Sequence, residues 1–448
     1  MAFRMHDRKV YAALESVTEG TAVTPNASTG YIETIDPTFS ITAATFERNP
    51  TRGSITPVPQ TVPGTGIAAG AACATVEFTF SVELAGTGTA ATAPRWGMLL
   101  KACGFEELTT LKSAPIGVTD GSTTQPRNLR HREAISAQAG TSFSSGDRVG
   151  RVVGDVGYDD GTVYFVKAGS STTVAASDNI VGQASANRAV ASDVEAASGV
   201  AYALVSGTEL GGSTSTSLTL RVAIDSTGKF VEGVGCRGNV EFVFVANDRV
   251  LLNFTFTGRL NQYSDGATTL TPTADTMSIP PAFNGVSLAL RESTYGAGDG
   301  SAVTSSIFNS MSINIGNEVT LRESVSAGSG YDVAYITGRA PSMTFNPDAV
   351  AESTYGFWDR FLSGELTRAK MTVGDTSGNQ FLFKMPAIQF SGISDGNRDE
   401  VMILDSSTTL TGGDTGSSIQ ESAADTGANS TVTNARLGTN NEFVFFQI

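Results

Sequence analysis

Alternating apolar and polar residues recur along the chain, and they predict a protein built mainly from β-strands. The clearest run is VEFTFSVEL at residues 76–84, in which apolar side chains occupy every second position. PSMTF at residues 341–345 is a shorter run of the same kind. Each such strand is expected to place one face in a core and the other in solvent.

Two short segments replace this alternation with helical spacing. TAPRWGMLLKACGF (residues 92–105) and STYGFWDRFLSGEL (residues 353–366) each contain one of the two tryptophans of the chain. Bulky apolar residues follow each tryptophan at three- and four-residue spacing, which indicates one face of an amphipathic helix. The side chains expected to anchor the two helices on the sheet are Trp96, Leu99, Leu100, Trp358, Phe361 and Leu362.

The surroundings of the two helices match in order: a strand, the helix, a polar turn and two further strands. Each helix ends near a glycine, Gly104 or Gly364, as a C-cap would require. A D-x-x-G turn at residues 225–228 or 375–378 predicts a β-hairpin in each region. We interpret the repeated order as an internal duplication. The alternative is that short Thr-rich strands resemble one another by chance.

The duplication predicts two mainly-β domains, each with one short flanking α-helix. The first comprises residues 1–105 together with 216–290, and the second comprises residues 291–448. Residues 106–215 interrupt only the first copy and carry their own strand signals. We therefore expect them to form a small inserted β module outside the region that the two copies share.

A proline-rich segment at residues 47–75 is predicted to be a long loop. Its prolines are Pro50, Pro57, Pro59 and Pro63. Loops of this length inside a compact domain are uncommon unless they have a function. We expect a neighbouring subunit to order the segment, and the alternative is that the segment is disordered.

The sequence NNEFVFFQI at residues 440–448 follows a long polar stretch. Its apolar residues are nearly consecutive, which is typical of a strand that is covered on both faces. The side chains of this predicted C-terminal strand are Phe443, Phe445, Phe446 and Ile448. We expect the strand to pair with the sheet of the second domain, close to a subunit boundary.

Composition and charge narrow the classes of function. Hydrophobic residues make up 40% of the 448 residues, enough for a sizeable core, and charged residues make up only 16%. The formal net charge of −15 disfavours binding of nucleic acid by phosphate neutralisation. The three cysteines lie far apart in the sequence, so a disulfide framework is not expected. Neither a secretory signal nor a long apolar run is present, and we expect no membrane segment.

The sequence offers no catalytic constellation. The only histidines, His6 and His131, lie in unrelated segments and do not suggest a catalytic triad or a zinc site. GVGCRG at residues 233–238 matches G-x-G-x-x-G, but a strand-like run follows where the nucleotide-binding fingerprint needs a helix. DVGYDDG at residues 155–161 lacks the spacing of a calcium loop. We therefore expect a protein that is not an enzyme and needs no cofactor or metal ion.

Two stretches carry a resemblance to a known family. GKFVEGVGCRGNVEFVFVANDRVLLNFTFTGRL (residues 228–260) and INIGNEVTLRESVSAGSGYDVAYITGRAPSMTFNPDAVAESTYGFWDRFLSGEL (residues 313–366) resemble the tail tube proteins, or major tail proteins, of long-tailed bacteriophages. The likeness covers most of the chain outside residues 106–215 and consists of strand and turn patterns. It implies β-sandwich or barrel-like tube domains, each with one flanking helix. Such domains form rings, and the rings stack into a hollow tube. A chain with two such domains resembles the fused kind, in which three subunits give a ring with six similar sectors.

The resemblance also implies a location and partners. The protein would be made in the bacterial host cytoplasm and become part of the virion tail. Its main partner would be itself, with a tape measure protein and a tail terminator as further partners. Genome DNA would pass through the lumen without specific binding, and an acidic wall would keep it sliding. The loop at residues 47–75 would be ordered between stacked rings, and the inserted module would lie on the outside of the tube.

Two other functions stay open at this point. One is another structural part of a virion, such as a capsid decoration protein or a baseplate protein. The other is a secreted β-sandwich adhesin or carbohydrate-binding protein, against which the missing secretory signal argues. An electron micrograph of the purified protein would separate tubes or rings from isolated monomers and from surface-bound particles.

Overall fold

The computed structural model describes residues 7–15, 18–43, 45–48, 60–63, 74–89, 92–108, 112–115, 117–119, 124–126, 135–139, 162–165, 179–181, 188–191, 200–204, 217–224, 228–264, 270–274, 277–286, 288–292, 308–327, 330–351, 355–411 and 442–447. Strands dominate this part of the chain, and their pairings are antiparallel. The described residues contain two helices, both short. The predicted mainly-β fold is confirmed.

The first half of the chain, residues 7–286, begins with six strands and a helix. The strands are β1 (Lys9–Leu14), β2 (Tyr31–Ile32), β3 (Ile35–Ala43), β4 (Thr45–Arg48), β5 (Gln60–Pro63) and β6 (Ala74–Glu83). Helix α1 (Gly97–Ala102) follows β6. In β6, Val76, Phe78 and Phe80 are buried and the polar residues between them point outward, so the alternation of the sequence is realised in the strand.

Short strands follow α1, and three longer ones complete the first half. The short strands are β7 (Phe105–Leu108), β8 (Lys112–Pro115), β9 (Gly117–Thr119), β10 (Thr124–Pro126), β11 (Ile135–Ala139), β12 (Thr162–Phe165), β13 (Asn179–Val181), β14 (Arg188–Ala191) and β15 (Val200–Leu204). The longer strands are β16 (Leu218–Ala223), β17 (Phe230–Val245) and β18 (Leu251–Ser264). Strands β8 to β14 form small sheets of their own, apart from the main sheet.

The second half, residues 288–447, also consists of strands before and after one helix. Its strands before the helix are β19 (Leu288–Glu292), β20 (Phe308–Asn314), β21 (Asn317–Glu323), β22 (Tyr331–Arg339) and β23 (Ser342–Pro347). Helix α2 (Phe357–Ser363) comes next, and Gly364 ends it with a φ of 67°, the left-handed conformation predicted for this C-cap. The strands after the helix are β24 (Leu366–Val373), β25 (Phe381–Arg398), β26 (Val401–Thr411) and β27 (Val444–Gln447).

The main sheet contains two sets of strands with the same pairing order. The first path runs β3–β6–β18–β17–β16–β1. The second path runs β20–β23–β26–β25–β24–β19. Helix α1 follows the second strand of its path, β6, and α2 likewise follows β23. The strands on either side of each D-x-x-G segment pair as predicted, Ala223 with Phe230 and Val373 with Phe381, although residues 225–227 lie outside the described residues.

Parts of the structureless loop expected at residues 47–75 form paired strands, and residues 49–59 and 64–73 lie outside the described residues. Strand β4 pairs with β5 across Thr45–Arg48 and Gln60–Pro63, and β6 begins at Ala74. The loop prediction is therefore wrong at these positions, because backbone pairing supplies the order that the composition did not indicate. Pro63 ends β5, a strand position that tolerates proline. The other three prolines, Pro50, Pro57 and Pro59, lie outside the described residues. The second path has the hairpin β21–β22 at the same place in its order.

Two strands lie in the main sheet although their residues were predicted elsewhere. β15 falls inside the predicted insert, yet it pairs with β7 on one side and β27 on the other, and its Tyr202 is fully buried. β19 overlaps the end of the predicted first domain, residues 216–290, but it pairs with β24 of the second path. In both cases the partner strand is distant in sequence, so local patterns could not place the strand.

The C-terminal strand β27 lies inside the sheet. It pairs with β25 at Phe381–Lys384 and with β15 at Val200–Ala203. Phe445 and Phe446 are neighbours in sequence and both are fully buried, so both faces of the strand are covered. Ile448, the last residue of this predicted strand, lies outside the described residues.

Candidate assembly interface

The two halves of the chain meet at one continuous boundary, which we call the internal junction. It consists of the pairing between β17 and β20, together with the contacts of residues 84–105 with the β24–β25 turn, β15 and β27. The pairing aligns Glu241 with Asn314 and Val245 with Ser310, so both edges of β20 are occupied. Ile313 of β20 is fully buried as a result. The junction thereby joins the two paths into a single sheet.

A glycine contact brings the two halves close together. The backbone N–H of Gly86 donates to Oδ1 of Asn379 over 2.8 Å, and its carbonyl accepts from the N–H of Ser278 over 2.8 Å. A Cβ at Gly86 would overlap the carbonyl oxygen of Gly378, so only glycine fits. Gly378 itself has a φ of 80° in the β24–β25 turn. The polar D-x-x-G turn thus packs directly against the residues that lead into α1.

Trp96 is the largest fully buried side chain at the junction. Its indole Nε1–H donates to the carbonyl of Ala85 over 2.9 Å. Its ring lies 5.6 Å from that of Tyr202, 6.4 Å from that of Phe381 and 6.3 Å from that of Phe445, measured between centroids. These rings belong to β15, β25 and β27. Trp96 therefore connects the start of α1 with three strands from other parts of the chain.

Two ionisable groups near α1 are held neutral by burial. Burial raises the pKa of the Tyr202 hydroxyl well above its usual value, and the nearby Glu107 carboxylate raises it further. That hydroxyl donates to Oε2 of Glu107 over 3.2 Å, and Lys101 Nζ lies 2.8 Å from Oε1 of the same carboxylate. Burial also raises the pKa of the Cys103 thiol. These groups stabilise the packing around α1 and do not form an acid–base pair that opens to solvent.

The same backbone contact occurs in both paths but in different surroundings. The N–H of Leu84 donates to the carbonyl of Val250 over 2.9 Å, and the N–H of Ala349 donates to the carbonyl of Met402 over 2.9 Å. Each bond links the end of the strand before the helix to the residues at the start of β18 or β26. Leu84 and Val250 are fully buried at the internal junction, whereas Met402 is 52% exposed.

Helix α2 is only partly covered, unlike α1. Its deepest side chain is Phe357, which is fully buried and lies 5.9 Å from the Phe390 ring between centroids. Trp358 and Phe361 are partly buried, but Leu362 is 77% exposed. In α1, by contrast, Leu99 and Leu100 are both fully buried. The prediction that Leu362 anchors α2 on the sheet is therefore wrong. The Phe357–Phe361 spacing of four residues was the signal for the correct face.

We call Val350, Trp358, Leu362 and Met402 the open surface. Val350 and Met402 lie on segments joined by the Ala349 hydrogen bond, and Trp358 and Leu362 lie on α2. At the corresponding places of the first path, Ala85, Trp96, Leu100 and Val250 are buried. The open surface thus consists of apolar side chains that no described part of the same chain covers fully.

Two strand edges also have no partner strand among the described residues. Among the described residues β3 pairs with β6 alone, and its Ile41 is 40% exposed. β25 pairs with β24 only as far as Gln389, so among the described residues Ser391–Arg398 pair with β26 alone. β3 is the first strand of its path, as β20 is of the second path. The end of β25 holds the same place in the second path as the end of β17 does in the first. At the internal junction it is β17 and β20 that pair with each other. Unpaired edges of this kind are templates for pairing with another chain.

One row on the outward face of the sheet is polar across both paths. This row of directly paired residues runs across seven strands: Ser81, Asn253, Glu241, Asn314, Ser342, Thr409 and Gln389. Six of these side chains are neutral and one is a carboxylate. The row crosses the internal junction between Glu241 and Asn314 without a break.

The glycines of GVGCRG serve close packing. All of residues 233–238 lie in β17, and Gly235 has a φ of 62° at a bulge against Val333 of β22. The N–H of Gly235 donates to the buried Glu15 carboxylate, which also accepts from Ser217 and Thr219. The close approach of Gly235 to Val333 packs β22 against β17, and β17 continues to Val245 where a nucleotide site would need a helix.

Features that would indicate other chemistry are limited in the described part of the chain. No group of three or more His, Cys, Asp or Glu side chains there could hold a metal ion. Neither of the two helices is long and apolar enough to span a membrane. His6, His131 and residues 155–161 fall outside the described residues. Comparison with protein families gives no match for this chain, and no curated protein matches it.

Proposed function

We propose that this chain is the structural subunit of a bacteriophage tail tube, and that copies of it join head to tail into rings which stack around a lumen. The observation that carries the proposal is the internal junction. It joins two paths of equal strand order edge to edge, and among the described residues β3 of the first path and the end of β25 in the second path each have an unpaired edge. A subunit that joins copies of itself through this contact needs the same two edges left unpaired, so that the next copy can bind there.

An internal duplication is part of the proposal. Its support is the shared strand order of the two paths, the helix after the second strand of each, the hairpin turn before β17 and β25, and the equivalent hydrogen bonds of Leu84 and Ala349. Chance similarity between Thr-rich strands does not account for so long an ordered set of pairings.

Ring closure follows if β3 of one copy pairs with the open edge of β25 in the next copy. β20 makes the same kind of pairing with β17 inside each chain. Repeated head-to-tail contacts close into a ring when the rotation permits, and closure would occupy both of these open edges in every copy. Because each chain supplies two similar sectors, three chains would give a ring of six sectors.

The polar row suits a surface along which DNA slides. A polyanion that passed along it would meet neutral amide and hydroxyl groups and the Glu241 carboxylate, with no Lys or Arg in the row. Basic side chains would hold the phosphates and slow the passage. We therefore propose that this face lines the lumen. On the same proposal the protein belongs to the virion tail, with a tape measure protein inside the tube and a tail terminator at its end.

Electron microscopy of the purified protein tests the proposal. Wild-type protein should form rings or tubes in negative stain. Ile41→Lys places a charge on the open edge of β3 and should leave single particles, because lysine on an edge strand opposes pairing. Val23→Lys is the matched control, since Val23 is 38% exposed and Ile41 40% exposed. Wild-type protein that stays as single particles at high concentration would contradict the proposal and favour a decoration protein or an adhesin.

A further inference from the structure

We infer that β3 of one copy and β25 of a second copy of this chain pair in a single register, which two ion pairs between the copies fix. In this register, Asp395 of the copy that supplies β25 meets Arg8 of the other copy. Arg398 of the first copy meets Asp36 of the other. The inference rests on the edge pairing of the proposed function and adds the residues that make this pairing specific.

The internal junction supplies the register. In it, Phe242 of β17 lies opposite Ile313 of β20, and both side chains are fully buried. Val245, the last residue of β17, lies opposite Ser310. None of these four side chains carries a charge. At these positions the two halves of one chain are therefore joined by apolar packing and backbone pairing.

The third strands of the two paths show which residues of β25 match those of β17. The equivalent hydrogen bonds of Leu84 and Ala349 align the start of β18 with that of β26. By this alignment Leu252 matches Leu404. Because Leu252 pairs with Phe242 and Leu404 pairs with Asp395, Asp395 takes the place of Phe242. Three residues further on, residue 398 takes the place of residue 245.

The first strands of the two paths match in the same way. The same two hydrogen bonds align β6 with β23, and Thr38 of β3 then matches Ser312 of β20. Phe39 therefore takes the place of Ile313. Asp36, two residues before Thr38, matches the residue that lies opposite the end of β17. Each of the two strands has a bulge near this end, which supports the match.

The first of the two pairs joins the ends of the strands. In the matched register Arg398 lies directly opposite Asp36, which is exposed on β3. Arg398 makes an ion pair with Asp348 of its own chain. A guanidinium has five N–H donors, so Arg398 can also bind a second carboxylate. Opposite charges that face each other across two strands stabilise the pairing.

The second pair forms over the ring of Phe39. The Cζ atom of Arg8 lies 5.1 Å from the ring centroid, and Nη1 donates to the Pro37 carbonyl over 2.9 Å. Asp395 is exposed on β25. Residues directly opposite each other in antiparallel strands have Cβ atoms about 4.5–5.5 Å apart. Asp395 of one copy would therefore lie beside Phe39 of the other, within reach of the Arg8 guanidinium.

The two charge pairs distinguish this register from its neighbours. A shift by two residues is the smallest that keeps each side chain on its face of the sheet. Such a shift would place Asp395 opposite Pro37 or Ile41, and it would separate both ion pairs. Charged side chains at exposed edges also oppose pairing with unrelated strands. Charge thus takes the role between copies that apolar packing has inside the chain.

A charge exchange tests the pair of Asp395 and Arg8. Asp395→Lys places a second cation against Arg8 and should weaken self-association by at least about tenfold. Adding Arg8→Glu to the same chain reverses the pair at every contact and should restore association to within about threefold of the wild type. A general effect of lysine on the edge would not be restored in this way.

The matched control is Asp405→Lys, which makes the same charge change one strand away from the open edge. Asp405 is exposed on β26 and pairs with Ser394 of β25. This variant should associate like the wild type. Sedimentation velocity measures the association of all variants, and circular dichroism verifies that each is folded.

Cross-linking tests the register directly. Ser394 and Ser40 are exposed and would lie opposite each other in adjacent copies, at a separation that a disulfide can span. In a Cys73→Ser background, Ser394→Cys with Ser40→Cys should give a ladder of linked chains on a non-reducing gel after mild oxidation. Ser394→Cys with Thr42→Cys, displaced by two residues, should lose the ladder.

The outcomes separate the inference from the proposed function. Normal association of Asp395→Lys, failure of the charge exchange to restore association, or cross-links from position 42 in place of position 40 would overturn the inference. Wild-type rings would leave the proposed function intact in each of these cases. Wild-type protein that stays monomeric would overturn both.

Discussion

Helices α1 and α2 follow corresponding strands, yet their surroundings differ. Leu100 is fully buried in α1, whereas Leu362, at the same distance from its tryptophan, is 77% exposed. Trp96 is enclosed by rings from three strands, and Trp358 is partly buried. The difference arises from what the rest of the chain places against each helix. At the internal junction the second half covers α1, and nothing described in the chain does the same for α2.

Removal of residues 442–448 should have the largest effect on the region that covers α1. It deletes β27, and with it Phe443 and Phe445, which pack against Phe105, Tyr202 and Phe383 at the internal junction. The edges of β15 and β25 would be exposed together with a large apolar cavity. We expect insoluble protein, measured as the soluble fraction after expression. As a control, removal of Ile448 alone leaves β27 in place. If the protein without residues 442–448 is soluble and still assembles, β27 is dispensable for the internal junction.

The second test truncates each tryptophan in turn. Trp96→Ala removes a fully buried ring and should lower the free energy of unfolding by about 3–5 kcal/mol. Trp358→Ala should lower that of the unassembled chain by only about 1–2 kcal/mol, because the ring is partly exposed there. Urea unfolding of the unassembled chain measures both. Equal losses would mean that the two helices are equally covered and that the comparison is wrong.

The third test concerns close approach at the junction. Gly86→Ala forces a methyl group into the Gly378 carbonyl and should cost about 1–3 kcal/mol of unfolding free energy. Gly392→Ala is the control on the open part of β25, where the nearest atom is the mobile Ser407 Oγ at 3.1 Å. That change should cost less than about 1 kcal/mol. Thermal unfolding measures the midpoint temperature of both variants. A lower midpoint for Gly86→Ala alone would show that the junction is tightly packed at this position.

The strands and helices of both paths could be predicted from the sequence because their signals are local. The alternation in β6 and the glycine at Gly364 each depend on a few neighbouring residues. The D-x-x-G turns are equally local, and both are hairpins. The sequence also indicated the buried C-terminal strand, since Phe445 and Phe446 adjoin each other in a short apolar run.

The rest could not be predicted because it depends on contacts between distant residues. Nothing in VAYAL reveals that Tyr202 stacks on Phe445, which lies in the C-terminal strand. The exposure of Leu362 is equally invisible, since its spacing from Trp358 equals that of Leu100 from Trp96. The domain boundaries near residues 106 and 290 were misplaced for the same reason. Whether a helix face is covered depends on tertiary neighbours and not on periodicity alone.

The smallest expected effect concerns the reactivity of the buried cysteine thiols. Burial raises the pKa of the Cys103 and Cys236 thiols, so the reactive thiolate is scarce at pH 8 and increases only as the pH approaches the raised values. In a Cys73→Ser background, these thiols should not react with a thiol reagent until the chain unfolds. Leu362→Cys in the same background should react at once, because position 362 is exposed. Rapid labelling without that substitution would mean that the α1 region opens readily.

The position of β27 between β15 and β25 has a consequence for the order in which the molecule can form during synthesis. About 240 residues separate β15 from β27, and at roughly 5–20 residues per second a ribosome needs roughly 10–50 seconds to cover that distance. Throughout this interval β15 lacks its partner β27, and Trp96 lacks the ring of Phe445. A nascent chain therefore cannot complete its core, or offer a finished surface to another copy, until residues 444–447 have emerged. Translation itself would time the onset of assembly.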